Sequence, residues 1–121
     1  IDNIQPFLRD TIGYIDSLPE TRDKPFIISE IGAAALPGFH DRFHARWTEE
    51  YQADYHQAVT EFVCGEDRVA GVALWMFCDA RTGMQGRILR RPRGFNNKGI
   101  FDEYRRPKEA VAVVRKNFRR Q

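Results

Sequence analysis

Two short apolar runs in this chain each end on residues able to do chemistry. The first, Pro25 to Ser29, is closed by Glu30. The second, Val69 to Phe77, carries Trp75 near its end and is followed by Asp79. Hydrolysis of a carbohydrate calls for a carboxylate on the anomeric face, an aromatic ring to pack the sugar and polar groups for its hydroxyls. In parallel α/β folds, and in (β/α)8 barrels above all, such groups gather where strands end. Each residue alone also has a plainer use: Glu30 as a loop-capping carboxylate, Trp75 as a core ring, Asp79 as a hydrogen-bonder within a loop.

The elements that must position these residues follow from periodicity. Ile4, Phe7, Leu8, Ile12, Ile15 and Leu18 recur at helical spacing, so a helix is expected from about Ile4 to Leu18, capped by Asp2 or Asn3 and stopped by Pro19. Pro25 to Glu30 reads as a strand buried on both faces, and Gly32 to Gly38 as a loop. Trp47 to Phe62 gives the longest helical pattern, with Thr48, Glu49 and Glu50 suiting its start, an apolar stripe of Tyr51, Tyr55, Ala58, Val59 and Phe62, and Gly65 at its end. Val69 to Phe77 reads as a second buried strand. Thr82 to Asn97 is rich in Arg and Gly without periodicity, which predicts a long loop. Pro107 opens a last helix through Ala110, Val111, Val114 and Phe118. Helix, strand, helix, strand, loop, helix implies parallel βα units. Two strands do not cover three helices, so the pattern is that of a piece of a larger α/β domain.

The composition is that of an ordinary soluble protein. Nineteen basic and 17 acidic residues leave a net charge of +2, which gives no general attraction to nucleic acid or membrane. The basic residues do cluster, at Arg87, Arg90, Arg91 and Arg93 and again at Arg115, Lys116, Arg119 and Arg120, but stacking aromatics are nearly absent beside them. Cys64 and Cys78 form neither a disulfide framework nor a zinc pattern and read as small buried residues. No apolar run has the roughly 20 residues needed to cross a bilayer. No cofactor or metal is expected, and the compartment stays open between cytoplasm and periplasm.

Six collinear segments between Lys24 and Phe118 carry a family resemblance. K-P-F-I-I-S-E-I-G-A, Lys24 to Ala33, resembles the nucleophile strand of the family 2 glycoside hydrolases as written in their β-glucuronidase members. Gly38-Phe39-His40 and Thr48-Glu49-Glu50-Tyr51-Gln52 are similar to the two segments that follow it. Leu74 to Asp79 is similar to their last barrel strand, Asn96 to Phe101 to their N-x-K-G-I-F segment, and Arg105 to Lys108 to the opening of their last helix.

The resemblance implies the C-terminal segment of a (β/α)8 TIM barrel spanning residues 1–121, with about two parallel strands and three helices, incomplete alone. It implies a retaining β-glycoside hydrolase of the β-glucuronidase type, with Glu30 as nucleophile. The acid/base Glu belongs to an Asn-Glu pair that this chain lacks, so the segment alone is expected to be inactive. Asn96 and Lys98 would grip a C6 carboxylate, with Trp75, Asp79, His40 and Arg90 also near the substrate. Ile31, Met76 and the basic stretch from Arg87 to Phe95 depart from the family pattern. The alternatives are a family 2 β-galactosidase or other exo-glycosidase, and a non-catalytic segment that self-associates. Expected partners are a β-glucuronide or related carbohydrate, the rest of the barrel with its N-terminal β-sandwich domains, and a second copy of the chain.

Overall fold

The structure, a computed structural model, describes residues 1–83 and 90–119. Arg87 and Arg120, two members of the basic clusters, lie outside the described residues. Three helices accompany a pair of parallel strands: α1 (Ile4–Asp16), β1 (Phe26–Ile31), α2 (Glu49–Gly65), β2 (Val69–Leu74) and α3 (Glu109–Phe118). Between β2 and α3, the short strands β3 (Ala80–Arg81) and β4 (Phe95–Asn96) pair antiparallel, with a 3-10 turn at Pro92–Gly94 before β4. The stretch expected as an unstructured loop therefore has a paired base.

β1 and β2 lie side by side with Phe26 opposite Val69, Ile27 opposite Gly71, Ile28 opposite Val72 and Ile31 opposite Leu74. α2 connects them, as a parallel pair requires. The core forms where α1, α2 and one face of the strands meet: Leu8, Ile12, Ile28, Val59, Phe62 and Val63 are buried, and Ile4, Phe26, Tyr55 and Val72 pack on them. Each such side chain, once buried, contributes on the order of 2 kcal/mol.

Three expectations need correction. β1 is covered on one face only: Ile28 is buried, whereas Ile27 beside it is 61% exposed. β2 ends at Leu74, so Trp75 to Phe77 lie beyond the strand. The two cysteines are free and half-buried rather than buried.

α2 begins at Glu49, two residues after Trp47, and Thr48 caps it as expected, its hydroxyl accepting from the Tyr51 N–H at 3.1 Å. Its inner surface is wider than the apolar stripe suggests. Thr48, Gln52, His56 and Thr60, spaced four apart, are fully buried, and α2 packs extensively on α3. That seam is tied by polar groups: Asn117 Nδ2 donates to Thr60 Oγ1 at 2.7 Å, and the Glu109 N–H donates to Glu49 Oε2 at 2.9 Å.

Candidate active site

Glu30 sits near the end of β1 with its side chain exposed, because the strand delivers it past the covered core. The next turn is set by a close approach. The Trp75 N–H donates to Ile31 O at 2.8 Å, and a Cβ on Gly32 would lie 1.9 Å from Trp75 O. Only glycine fits there. The close crossing brings the two strand ends together, and Glu30, Trp75 and Lys98 line one cleft of about 460 Å³ with Ile27 and Tyr55.

Lys98 comes from the segment after β4. Its carbonyl accepts from the Met76 N–H at 3.0 Å, while its own N–H donates to Asn96 Oδ1 at 3.3 Å. Among the described residues its ammonium makes no hydrogen bond or ion pair. A second cavity of about 480 Å³ adjoins, lined by Arg90, Asn96, Lys98, Trp47 and Leu36. Lys98 borders both spaces, so the carboxylate and Trp75 on one side, and Asn96 and Arg90 on the other, converge on it. A half-buried cation beside an amide can take an anionic group, and a carboxylate and an indole lining one cleft are the residue types that suit a sugar ring.

Two residues expected near the substrate have their side chains engaged by other parts of the chain. Asp79 is one: its side chain has no exposure, and both oxygens are occupied within the protein. Oδ1 accepts from the Gly99 N–H and from Lys108 Nζ, each at 2.9 Å, and Oδ2 accepts from Asn97 Nδ2 at 2.9 Å. Burial pushes the Asp79 carboxyl up and the Lys108 ammonium down, and each pulls the other back. The plainer reading of Asp79, a hydrogen-bonder inside a loop, is what the structure supports.

His40, the other, lines neither cavity. Its Nδ1 lies 2.9 Å from Glu50 Oε1 on α2, and the bond to Glu50 raises its pKa above the ordinary imidazole value. His44 pairs in the same way with Asp54, so this loop is fastened to α2. His40, Glu50 and Glu109 bring ligand atoms within 4.8 Å of one another. His40 and Glu109 are exposed, Glu50 is half-buried and the histidine is already paired, so the cluster has the form of a surface ion-pair group.

The sequence reading missed three residues. Trp47, expected to open the helix, instead precedes it with φ of 83° and borders the Lys98 cavity. Gln52 is fully buried and its Nε2 donates to Ala33 O at 2.8 Å and to Gly99 O at 3.0 Å, joining the two loops that flank the cleft. Lys108 does the same from the start of α3. Gln52 and Lys108 close two of the six recognised segments, and that was their only signal.

A model of glycosyl hydrolases family 2, TIM barrel domain, matches residues 2–121. The chain is 33% identical over 110 residues to a β-glucuronidase of Streptococcus agalactiae, covering 91% of this chain and 17% of that protein. Among solved structures, a family 2 β-galacturonidase from Eisenbergiella tayi bound to galacturonate superposes with a TM-score of 0.90 at 39% identity, covering 98% of this chain and 21% of that one. An uncultured Clostridium sp. β-glucuronidase gives a TM-score of 0.84 at 31% identity, over 99% of this chain and 20% of its own length. The chain thus spans about a fifth of the relatives it matches.

Proposed function

The chain belongs to the glycosyl hydrolase family 2 TIM barrels, and from that premise we propose that it supplies the nucleophile and the carboxylate-recognition loop of a retaining β-uronidase. The observation that carries this is the shared cleft: Glu30, Trp75 and Lys98 line one space, and Lys98 also borders the cavity of Asn96 and Arg90.

Glu30 attacks the anomeric carbon and forms the glycosyl–enzyme bond as the C–O bond to the leaving group breaks. A second carboxyl, contributed by the remainder of the barrel and about 5–5.5 Å away, protonates that oxygen. Water activated by the same carboxylate then attacks the anomeric carbon and returns Glu30 to its starting form. Trp75 packs the ring. Lys98 and Asn96 bind the C6 carboxylate, and a neutral hydroxymethyl group leaves the ammonium without its partner.

One finding favours a second reading of the substrate. The Eisenbergiella tayi relative, 39% identical, is a β-galacturonidase. Glucuronides and galacturonides share the C6 carboxylate and differ at C4, so the Lys98 argument covers both.

In the complete enzyme carrying this segment, Glu30→Gln should cut kcat by at least about a thousandfold while leaving the thermal midpoint in place. Near-normal turnover would end the nucleophile assignment. Lys98→Ala should lower kcat/KM by about a hundredfold on chromogenic β-glucuronide and β-galacturonide and spare neutral β-glycosides. Equal losses on charged and neutral sugars would remove the uronide reading. The ratio between the two uronides in the unmodified enzyme decides which is preferred.

A further inference from the structure

Lys108 is placed where a lysine has little to recommend it. It occupies the cap position at the start of α3, where the helix dipole disfavours a cation, and its side chain is only 1% exposed. Its three donors are nevertheless all used. Nζ donates to Ala35 O at 2.8 Å, to Asp79 Oδ1 at 2.9 Å and to Asn97 O at 3.2 Å. These acceptors lie on three separate stretches: the loop after β1, the turn after β2, and the segment between Asn96 and Lys98. Asp79 carries the tie onward to Asn97 Nδ2 and the Gly99 N–H, and the Ala35 N–H donates to Asn97 O at 2.9 Å. Thus the backbone on both sides of Lys98 is held by one buried ion pair. There is no room for slack, since a Cβ on Gly99 would lie 2.2 Å from the Asp79 nitrogen.

Replacing such a pair by apolar groups is often neutral for stability, so stability alone does not account for it. What it supplies is a fixed geometry and a neutralised cation: Lys108 is matched by Asp79, whereas Lys98 presents its charge to the cleft. We propose that Lys108 is a positioning residue for uronate recognition, acting through Asp79 and Asn97 to hold Lys98 and Asn96 where they meet the substrate carboxylate. This rests on the uronide reading above.

The test uses the complete enzyme in four forms: unmodified, Lys98→Ala, the charge-neutral pair Asp79→Asn with Lys108→Met, and all three substitutions together. KM and kcat are measured on a chromogenic β-uronide and on a neutral β-hexoside, with thermal midpoints alongside. The pair of substitutions should raise KM for the uronide about tenfold to a hundredfold, change kcat less, and leave KM for the neutral sugar in place. In the Lys98→Ala background the same pair should add less than about threefold, because its effect runs through Lys98. Losses that multiply, or equal KM changes on both sugars, would overturn the positioning role. If Lys98→Ala itself leaves the preference for uronides intact, the underlying reading falls as well, so the two failures are separable. Should the pair not fold, Lys108→Arg, which keeps the charge but moves the donors, is read by the same KM ratio: an unchanged ratio overturns the proposal and a reduced one upholds it.

Discussion

Gly32 shows how one missing side chain assembles a site. The carbonyl of Trp75 occupies the space a Cβ would need, at 1.9 Å, so any other residue must push β1 away from the end of β2. That movement separates Glu30 from Trp75. Gly32→Ala in the complete enzyme is expected to cost about 1–3 kcal/mol in urea unfolding and to lower kcat on the uronide out of proportion to that loss. A variant as stable and active as the parent would show that the crossing yields without consequence. Asp79 teaches the opposite lesson. Its position after a strand suggests chemistry, but its two oxygens are spent on Lys108, Asn97 and Gly99, which makes it a support for neighbours that do face the cleft.

α2 carries two different inner faces. One is apolar and packs on α1 and the strands; the other is the polar column of Thr48, Gln52, His56 and Thr60 in the direction of α3. His56 is fully buried, neither ring nitrogen has a partner among the described residues, and burial lowers its pKa to about 4. The sign follows from linkage. Above pH 6.5 the imidazole is neutral in the folded and unfolded chain alike and contributes nothing. As the pH falls from 6.5 towards 4, the unfolded chain takes up a proton that the fold refuses, and stability drops by up to about 3 kcal/mol. His56→Leu should therefore reduce the fall in urea midpoint between pH 7 and pH 4.5 while changing the pH 7 value little. An equally acid-sensitive variant would place the effect elsewhere.

Two parallel strands with three helices leave much of their apolar surface to be covered. Ile27 on the open face of β1 is exposed, as are Phe7 and Phe77, and among the described residues β1 and β2 have no further strand beside them. In a closed barrel the neighbouring strands take that place. The isolated 14.1 kDa segment is expected to self-associate through these edges and this face. Sedimentation velocity at micromolar concentration should show oligomers, and a single sharp monomer boundary would contradict the expectation. On the proposed mechanism, activity should be absent from the segment alone, because the retaining chemistry we assign to Glu30 needs a second carboxyl close to it.

The order of helices and parallel strands was legible because apolar periodicity is local: Leu8 and Ile12 mark one face of α1, and the run before Glu30 marks β1. The placement of Glu30 near a strand end followed from the same pattern, which carried Trp75 into a strand that stops one residue before it, and the collinear segments pointed to Asn96 and Lys98. What the sequence left undecided was which polar residues face inward. Asp79 and His40 have the same chemistry whether they touch a sugar or a neighbouring loop, and only the meeting of distant segments assigns them. Lys108 comes within 2.8 Å of Ala35 O from 73 positions along the chain. No local pattern encodes such a bond, because the burial that makes it matter is created only when α3 closes over the loops.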